Sequence, residues 1–183
     1  MLRFHKISYV IAFFAPIFFV MSSCKQNTDS VATKYEYVFE NVIRSDKGLF
    51  RGSNLGDSVT AILAKEPGKP REEEKNYLYY EYKIDSAATF NVRYTFDERG
   101  LNEIESDIFI ANDTNLAEET FNKFKKYLDD HYGESETERG YNVWSVKSEK
   151  YGDVMIDLNN ELPAFNSKNA IGKISLWIYT DKQ

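Results

Sequence analysis

Apolar and polar residues alternate along six segments of this chain, which is the pattern of a β-strand with one buried face. In the first segment the apolar positions include Leu78 and Tyr80, and in the last they include Ile174 and Ile178. The connection between the second and third segments, residues 97–100, ends in glycine and fits a hairpin turn. The pattern predicts strands over residues 77–85, 90–96, 101–110, 141–148, 153–158 and 171–180.

A short helix is predicted ahead of the first strand, over residues 55–66. Val59 and Ile62 lie on one side of it at helical spacing. Asp57 or Ser58 can act as its N-cap, because their side-chain oxygens can accept hydrogen bonds from the first free backbone N–H groups. The Pro-Gly pair that follows cannot continue a helix, so the helix is expected to end there.

A longer helix is predicted over residues 115–132, where apolar and aromatic residues recur at spacings of three and four. Asn115 and Glu118 resemble a capping box at its start, and Gly133 stands where a C-cap is expected. Residues 35–43 are ambiguous. They fit either an extra edge strand or an amphipathic turn.

Each predicted helix is followed by three predicted strands, which indicates an internal repeat. A shift of 65 residues places Tyr79 on Trp144, and towards the end of the units the offset becomes 70 and matches Ile104 to Ile174. We therefore expect an α+β fold: an antiparallel sheet with helices on one face, built as a tandem duplication of a helix–three-strand unit. The alternative is one unrepeated α+β domain. The expected boundaries are 35–183 for the domain and about 48–110 and 114–180 for its units.

The segment Gly48–Ser58 reads Gly-Leu-Phe-Arg-Gly-Ser-Asn-Leu-Gly-Asp-Ser and leads into the short helix. It is similar to the start of small lipoproteins of the outer-membrane assembly type, and the tandem arrangement resembles the beta-lactamase-inhibitor-protein fold. In that fold two such units set their helices on one face of a continuous antiparallel sheet. The resemblance covers about residues 48–180 and implies a protein-binding module, although a fold alone identifies no partner.

The N-terminus has the features of a secretory signal in their usual order. A short basic region precedes the twelve uncharged residues 9–20, which are too few to cross a bilayer, since about 20 are needed. Two serines then precede Cys24, an arrangement that resembles the lipobox of bacterial lipoproteins. The resemblance implies a signal peptide over 1–23 and palmitate or another acyl chain on Cys24. The short polar run after the cysteine predicts a flexible tether over 24–34. The alternative is an ordinary secretory signal followed by an unrelated cysteine.

The net charge and the cysteine content restrict the classes of binding partner and the kinds of site that this chain can have. Without residues 1–23 the chain keeps 21 basic and 29 acidic residues, a net charge of −8. This charge argues against nucleic acid and anionic lipid, which both need basic patches. One cysteine cannot form an internal disulfide or a multi-cysteine zinc site. Lys25 follows Cys24 where an aspartate would resemble an inner-membrane retention signal, so the outer membrane is the expected location, on either its periplasmic or its exterior face.

No set of residues stands out as a catalytic centre. His131, the one histidine outside the leader, is predicted at a helix end, where a solvent-facing imidazolium interacts with the helix dipole. Glu103, Glu105 and Asp107 share one side of a strand and fit a solvated outer face better than a cation site. We therefore expect no enzyme activity, no cofactor and no metal.

Aromatic residues give a clearer indication of a binding surface than the histidine or the carboxylates do. If the apolar side chains of the first strand face the helices, Tyr77 and Tyr79 project from the opposite face of the sheet, and by the same parity Arg93, Trp177 and Tyr179 lie there too. Tyrosine, tryptophan and arginine are the residue types that dominate protein-binding hot spots. The alternative is that the tyrosines only cover half-solvated strands.

Trp144 is undecided: the repeat offset groups it with Tyr79, whereas the parity of Val146 favours burial. Together these features favour a lipid-anchored envelope protein that acts as a non-enzymatic protein-binding module through the open sheet face, in assembly or in inhibition. Its expected partners are the membrane, through the lipid on Cys24, and an envelope or secreted protein. The alternative is an envelope enzyme or carbohydrate-binding lipoprotein that uses carboxylates and aromatics in a cleft.

Overall fold

A computed structural model describes residues 28–148, 151–161 and 171–180. The predicted signal peptide over 1–23 and Cys24 lie outside these ranges. Within them the elements are, in order, α1 (Thr28–Ile43), α2 (Val59–Lys65), β1 (Glu72–Glu73), β2 (Tyr77–Lys83), β3 (Ala88–Asp97), β4 (Gly100–Ala111), α3 (Thr114–Tyr132), β5 (Glu136–Glu138), β6 (Tyr141–Ser148), β7 (Gly152–Glu161) and β8 (Ile171–Thr180).

The strands form one eight-stranded sheet in the order β1-β2-β3-β4-β8-β7-β6-β5. All seven neighbouring pairs are antiparallel. The predicted α+β class is confirmed, and so are the six predicted strands, with ends that differ by a few residues. The edge strands β1 and β5 were missed because two and three exposed residues carry no alternation.

The alternation seen in the sequence sorts each strand into a buried and an open side. In β3, Phe90, Val92 and Tyr94 are buried, while the intervening Asn91 is half-buried and Arg93 is exposed. The buried side chains of the long strands share one core with apolar residues of the helices. Because side chains of a strand alternate strictly, the positions between them lie on the other face of the sheet.

The long helix α3 begins one residue earlier than predicted. Asp113 is its N-cap, and its Oδ1 accepts a hydrogen bond from the Leu116 N–H at 2.9 Å. The prediction of Asn115 as the cap is therefore wrong, because the carboxylate two residues earlier already accepts from this free N–H. The predicted C-cap is confirmed: Gly133 has φ 91° and its N–H donates to the Asp129 carbonyl at 2.9 Å.

The segment 35–43 is helical rather than a strand or a turn. Helix α1 begins at Thr28, so residues 28–34 of the predicted tether belong to a helix. Its buried residues, Val38, Phe39, Val42 and Ile43, recur at helical spacing, and the helix packs against α3. The Phe39 ring centroid lies 5.0 Å from that of Phe124, at an interplanar angle of 65°. The alternation that suggested a strand includes Tyr37, which is 50% exposed.

Helix α2 is capped by Ser58, one of the two predicted caps, whose Oγ accepts from the Ala61 N–H at 3.2 Å. The predicted hairpin between β3 and β4 also forms, and it closes against the segment before α2. Gly100 has φ 105° there, and a Cβ on it would lie 2.6 Å from the Gly56 carbonyl oxygen. Glycine is required at position 100 because both the backbone angle and the close approach exclude a side chain.

Candidate binding face

The side of the sheet that points away from the core is referred to here as the open face. None of the three described helices packs on it, since their buried residues join the core on the other side. Its residues alternate with buried ones along the five strands β2, β3, β4, β8 and β7. They are Tyr77, Tyr79, Glu81, Asn91, Arg93, Thr95, Glu103, Glu105, Asp107, Phe109, Lys173, Ser175, Trp177, Tyr179, Met155, Asp157 and Asn159.

The structure brings all five residues predicted for partner binding onto the open face. Strand pairing sets Tyr79 beside Arg93, Arg93 beside Glu105, and Glu105 beside Trp177. Adjacent strands are about 4.8 Å apart, so this row spans roughly 14 Å from Tyr79 to Trp177. Tyr77 and Tyr179 lie in the next row along the same strands. The five therefore form two groups, one on β2 and β3 and one on β8. Glu103 and Glu105 on β4 lie between the groups.

The first group consists of Arg93 and two tyrosines. The Arg93 guanidinium carbon lies 5.1 Å from the ring centroid of Tyr77 and 5.6 Å from that of Tyr79. The Tyr77 hydroxyl donates to Glu72 at 2.9 Å, and this hydrogen bond is the main cause that raises the pKa of Tyr77. Partial burial, with a smaller effect of Glu81, raises the pKa of Tyr79. Each hydroxyl already donates its proton, Tyr77 to Glu72 and Tyr79 to Glu81 at 3.3 Å, and its oxygen can still accept a hydrogen bond.

The second group is the pair Trp177 and Tyr179. Their ring centroids are 4.7 Å apart, and Trp177 is 41% exposed, which is unusual for so large an apolar side chain. The Tyr179 hydroxyl donates to Asp157 Oδ2 at 3.1 Å. Asp157 Oδ1 is shielded from solvent and has no hydrogen-bond partner among the described residues. Partial burial raises the pKa of Asp157, against the opposing hydrogen bond from Tyr179.

Carboxylates surround this pair. Glu105 and Asp157 are the cross-strand neighbours of Trp177 on its two sides, and Glu103 is the neighbour of Tyr179. Within the described ranges, none of these three carboxylates forms an ion pair. The predicted placement of Glu103, Glu105 and Asp107 on one side of a strand is confirmed.

Asp107 differs from Glu103 and Glu105, the other two carboxylates on this side of β4. It accepts a hydrogen bond from Ser175 Oγ at 2.7 Å and lies 3.1 Å from Lys173 Nζ. Its charge is therefore balanced within the sheet. Beside it, towards one end of β2 and β3, a shallow hollow of about 390 Å³ is lined by Tyr79, Glu81, Asn91 and Phe109, together with other residues.

Trp144 is not part of the open face. It is buried, and its Nε1–H donates to the Gly133 carbonyl at 2.9 Å, which ties β6 to the end of α3. Tyr79 lies on the opposite side of the sheet, so the 65-residue offset pairs residues of opposite faces in these strands and is wrong there. The parity with Val146, which packs against the core, correctly predicted that Trp144 is buried.

His131 lies in the last turn of α3, as predicted, and is exposed. Its Nδ1 lies 2.7 Å from the Tyr127 carbonyl oxygen, so the ring interacts with its own helix. In the part of the chain that the structure describes, no group of three or more His, Cys, Asp or Glu side chains is arranged to hold a metal ion. No described helix has both the length and the apolar character needed to cross a membrane.

Sequence reasoning missed a buried ionic cluster on the core side. Arg51 and Glu66, each 1% exposed at the side chain, form two parallel hydrogen bonds of 2.7 Å and 2.8 Å. The Tyr82 and Tyr94 hydroxyls also donate to this carboxylate, the first at 2.8 Å. Arg51 Nη1 donates to the Asn41 and Val42 carbonyls at 2.8 Å each, at the end of α1.

This cluster joins α1, the segment before α2, the end of α2 and two strands through one carboxylate. Burial on its own would raise the pKa of Glu66, but the hydrogen bonds and charge of Arg51 and the two tyrosine hydroxyls bring that pKa below its ordinary value. Its charged groups contact one another and the backbone, and the half-exposed Arg44 guanidinium lies 3.9 Å from the Glu66 carboxylate. Its role is to hold the helices on the sheet. The sequence signal was slight: one arginine among glycines and one glutamate before Pro-Gly.

No protein-family model, no curated protein and no solved structure matches this chain.

Proposed function

We propose that this protein is a lipid-anchored envelope protein that binds another protein through the open face and catalyses no reaction. The proposal rests on five large side chains of the types common in protein interfaces, which lie together on one sheet face that no described helix covers. They are Tyr77, Tyr79, Arg93, Trp177 and Tyr179. Aromatic and arginine side chains offer rigid contact area with a polar end, so they contribute most of the affinity in typical interfaces.

The size of the face suits such a partner. The five strands of the open face, at a spacing of about 4.8 Å and each about 30 Å long, present roughly 700 Å². A standard protein interface buries about 800 Å² on each partner. The edge strands β1 and β5 have only two and three residues, and very short edge strands are one way in which proteins limit pairing with another sheet. Binding through the face rather than through an edge is therefore favoured.

We further propose that the two halves of the chain are a tandem duplication. Each half consists of a helix, a short edge strand and three long strands, and the sheet order mirrors itself about the β4–β8 pair. An offset of 70 residues equates Ile104 with Ile174 and Ile108 with Ile178. In the ladder between β4 and β8, Ile104 pairs with Ile178 and Ile108 with Ile174, and a two-fold relation between the halves exchanges these two pairs.

The anchor places limits on where the partner lies. Only residues 25–27 separate Cys24 from the first residue of α1. Four chain steps span at most about 14 Å, so an acylated Cys24 would hold α1 close to the membrane surface. We therefore expect the partner to be an envelope protein or a secreted protein that reaches the membrane.

Replacing Cys24 with serine is expected to abolish incorporation of labelled palmitate and to leave the leader uncleaved, because serine lacks the thiol that receives the first acyl chain. The measurement is metabolic labelling followed by immunoprecipitation. Ser23→Ala keeps a small residue next to the cysteine. This variant is the control and should incorporate palmitate normally. Equal labelling of Cys24→Ser and the native chain would show that the acyl acceptor is not Cys24.

Combined substitution of Tyr77, Tyr79 and Trp177 by alanine is expected to abolish capture of the partner from envelope extract. Each hot-spot aromatic contributes about 2 kcal/mol or more, which is about 30-fold in affinity. Tyr37→Ala is the matched control, because Tyr37 is also an exposed aromatic but lies on α1. Circular dichroism should show an unchanged fold in both variants.

Two outcomes would contradict the proposal. Capture that survives the triple substitution would remove the open face as the binding surface. Titration with soluble oligosaccharides provides the other: the stacked pair of Trp177 and Tyr179 is also a platform for sugar rings, and saturable quenching of tryptophan fluorescence by a glycan would favour the carbohydrate-binding alternative.

A further inference from the structure

We infer that the open face receives a basic segment of its protein partner, with lysine or arginine side chains lying against Trp177 between Glu105 and Asp157. The inference rests on the proposed function and adds the chemistry of the partner to it. It follows from the charges around the aromatic pair, which the structure leaves unbalanced.

Trp177 and its neighbours provide the elements that bind a cation. The ring is flanked across the strands by Glu105 on one side and Asp157 on the other, and cross-strand neighbours have Cβ atoms about 5 Å apart. A cation over the face of tryptophan is attracted by the ring quadrupole. A guanidinium or ammonium group seated there would contact the ring and the exposed Glu105, and it would lie in the electrostatic field of Asp157 on the other side.

The surrounding carboxylates are available for this interaction. Asp107 is balanced by Lys173, whereas Glu103, Glu105 and Asp157 form no ion pair within the described ranges. Asp157 Oδ1 is out of contact with solvent, so Asp157 acts on a cation beside Trp177 through its electrostatic field and not by contact through Oδ1, and this field is less screened than that of a solvated carboxylate. The adjacent cation, Arg93, lies over Tyr77 and Tyr79 instead. The pair is thus surrounded by net negative charge.

The same charges argue against other occupants. A second copy of this chain would bring its own carboxylates towards these, and the region from Cys24 onwards carries a net charge of −8, so self-association through this face meets repulsion. A neutral glycan can stack on the aromatic rings but gains little from three unpaired carboxylates. Complementary charge on a protein partner accounts for the aromatic and the acidic residues together.

The test uses the detergent-solubilised full chain and a dye-labelled ten-residue peptide of alternating arginine and glycine as the probe, followed by fluorescence anisotropy. We expect saturable binding that weakens steeply between 0.05 M and 1 M NaCl, because the Debye length falls to about 3 Å at 1 M. The triple variant Glu103→Gln, Glu105→Gln, Asp157→Asn should bind the peptide at least roughly tenfold more weakly.

A matched variant controls for net charge. Glu118, Glu119 and Glu134 are exposed and lie on α3 or just after it, so replacing these three with glutamine removes the same charge away from the open face. This variant should keep the affinity of the native chain for the peptide. Thermal melting of both triple variants shows whether either has lost its fold. Equal weakening in both would mean that the peptide senses only total charge, and it would overturn the inference.

Other outcomes separate this inference from the proposed function. Failure of the native chain to bind the peptide, or equal binding of a glutamate–glycine peptide, overturns the basic-segment inference. If the Tyr77, Tyr79 and Trp177 triple variant still loses its envelope partner in that case, the open face remains a protein-binding surface of another chemistry. If capture also survives that variant, both proposals fail.

Discussion

Glu66→Ala is expected to lower the free energy of unfolding by about 3–5 kcal/mol, the cost of leaving one member of a buried ion pair without its partner. Arg51 would keep its charge at 1% side-chain exposure, and the Tyr82 and Tyr94 hydroxyls would lose their acceptor. The measurement is urea denaturation followed by circular dichroism. Asp130→Ala is the control, because it breaks the exposed Lys126–Asp130 pair and should cost only about 0.5 kcal/mol.

The same residue makes stability depend on pH in a defined direction. The pKa of Glu66 is lower in the folded chain than its ordinary value of 4.5. Its stabilising contribution is therefore fully present above pH 4.5 and is lost as the pH falls through the folded-state pKa. Glu66→Gln should remove this part of the acid dependence. If the native chain and Glu66→Gln lose stability in parallel below pH 4.5, the assigned role of Glu66 is wrong.

Phe39→Ala is expected to lower the free energy of unfolding by about 3–5 kcal/mol, because it removes a buried ring and leaves a cavity between two helices. The ring of Phe39 contacts Phe124 and Tyr127, with centroids 5.0 Å and 5.3 Å away. Lys123 Nζ lies 5.5 Å from its centroid as well. The measurement is the same denaturation experiment.

Tyr37→Ala provides the matched control on the same helix. Its side chain is 50% exposed, compared with 8% for Phe39, and a surface substitution of this kind should change stability by less than about 0.5 kcal/mol. A small effect at both positions would mean that α1 is not an integral part of the domain. The segment would then behave as the tether that its polar N-terminal residues suggested.

The six long strands, the Ser58 cap of α2 and the end of α3 at Gly133 could be predicted because they depend on local chemistry. Alternation in β3 directly reports which side chains face the core, and a capping serine or a C-terminal glycine acts within a few residues of its own position. The same local rule placed Tyr77, Tyr79 and Arg93 on one side of the sheet. Parity needs no knowledge of the partner strands.

Errors arose where a local pattern allowed two answers. In α1, Tyr35, Tyr37 and Phe39 alternate as in a strand, yet Val38 and Val42 complete a helical stripe that packs towards α3. The packing partner is far along the chain, so the sequence of this segment alone could not decide between the two periods. The edge strands β1 and β5 were missed for a different reason. Pairing with β2 and β6 holds them in place, and their own residues show no strand pattern.

The face on which each side chain of a long strand lies follows from the local sequence, because the period of a strand is a property of its own backbone. Which residues become neighbours on that face depends on how distant strands pair. Glu105, Trp177 and Asp157 form one row because β8 inserts between β4 and β7, a pairing between distant parts of the chain. The Arg51–Glu66 cluster likewise exists only because burial of two distant charges is stabilised when each becomes the other's partner.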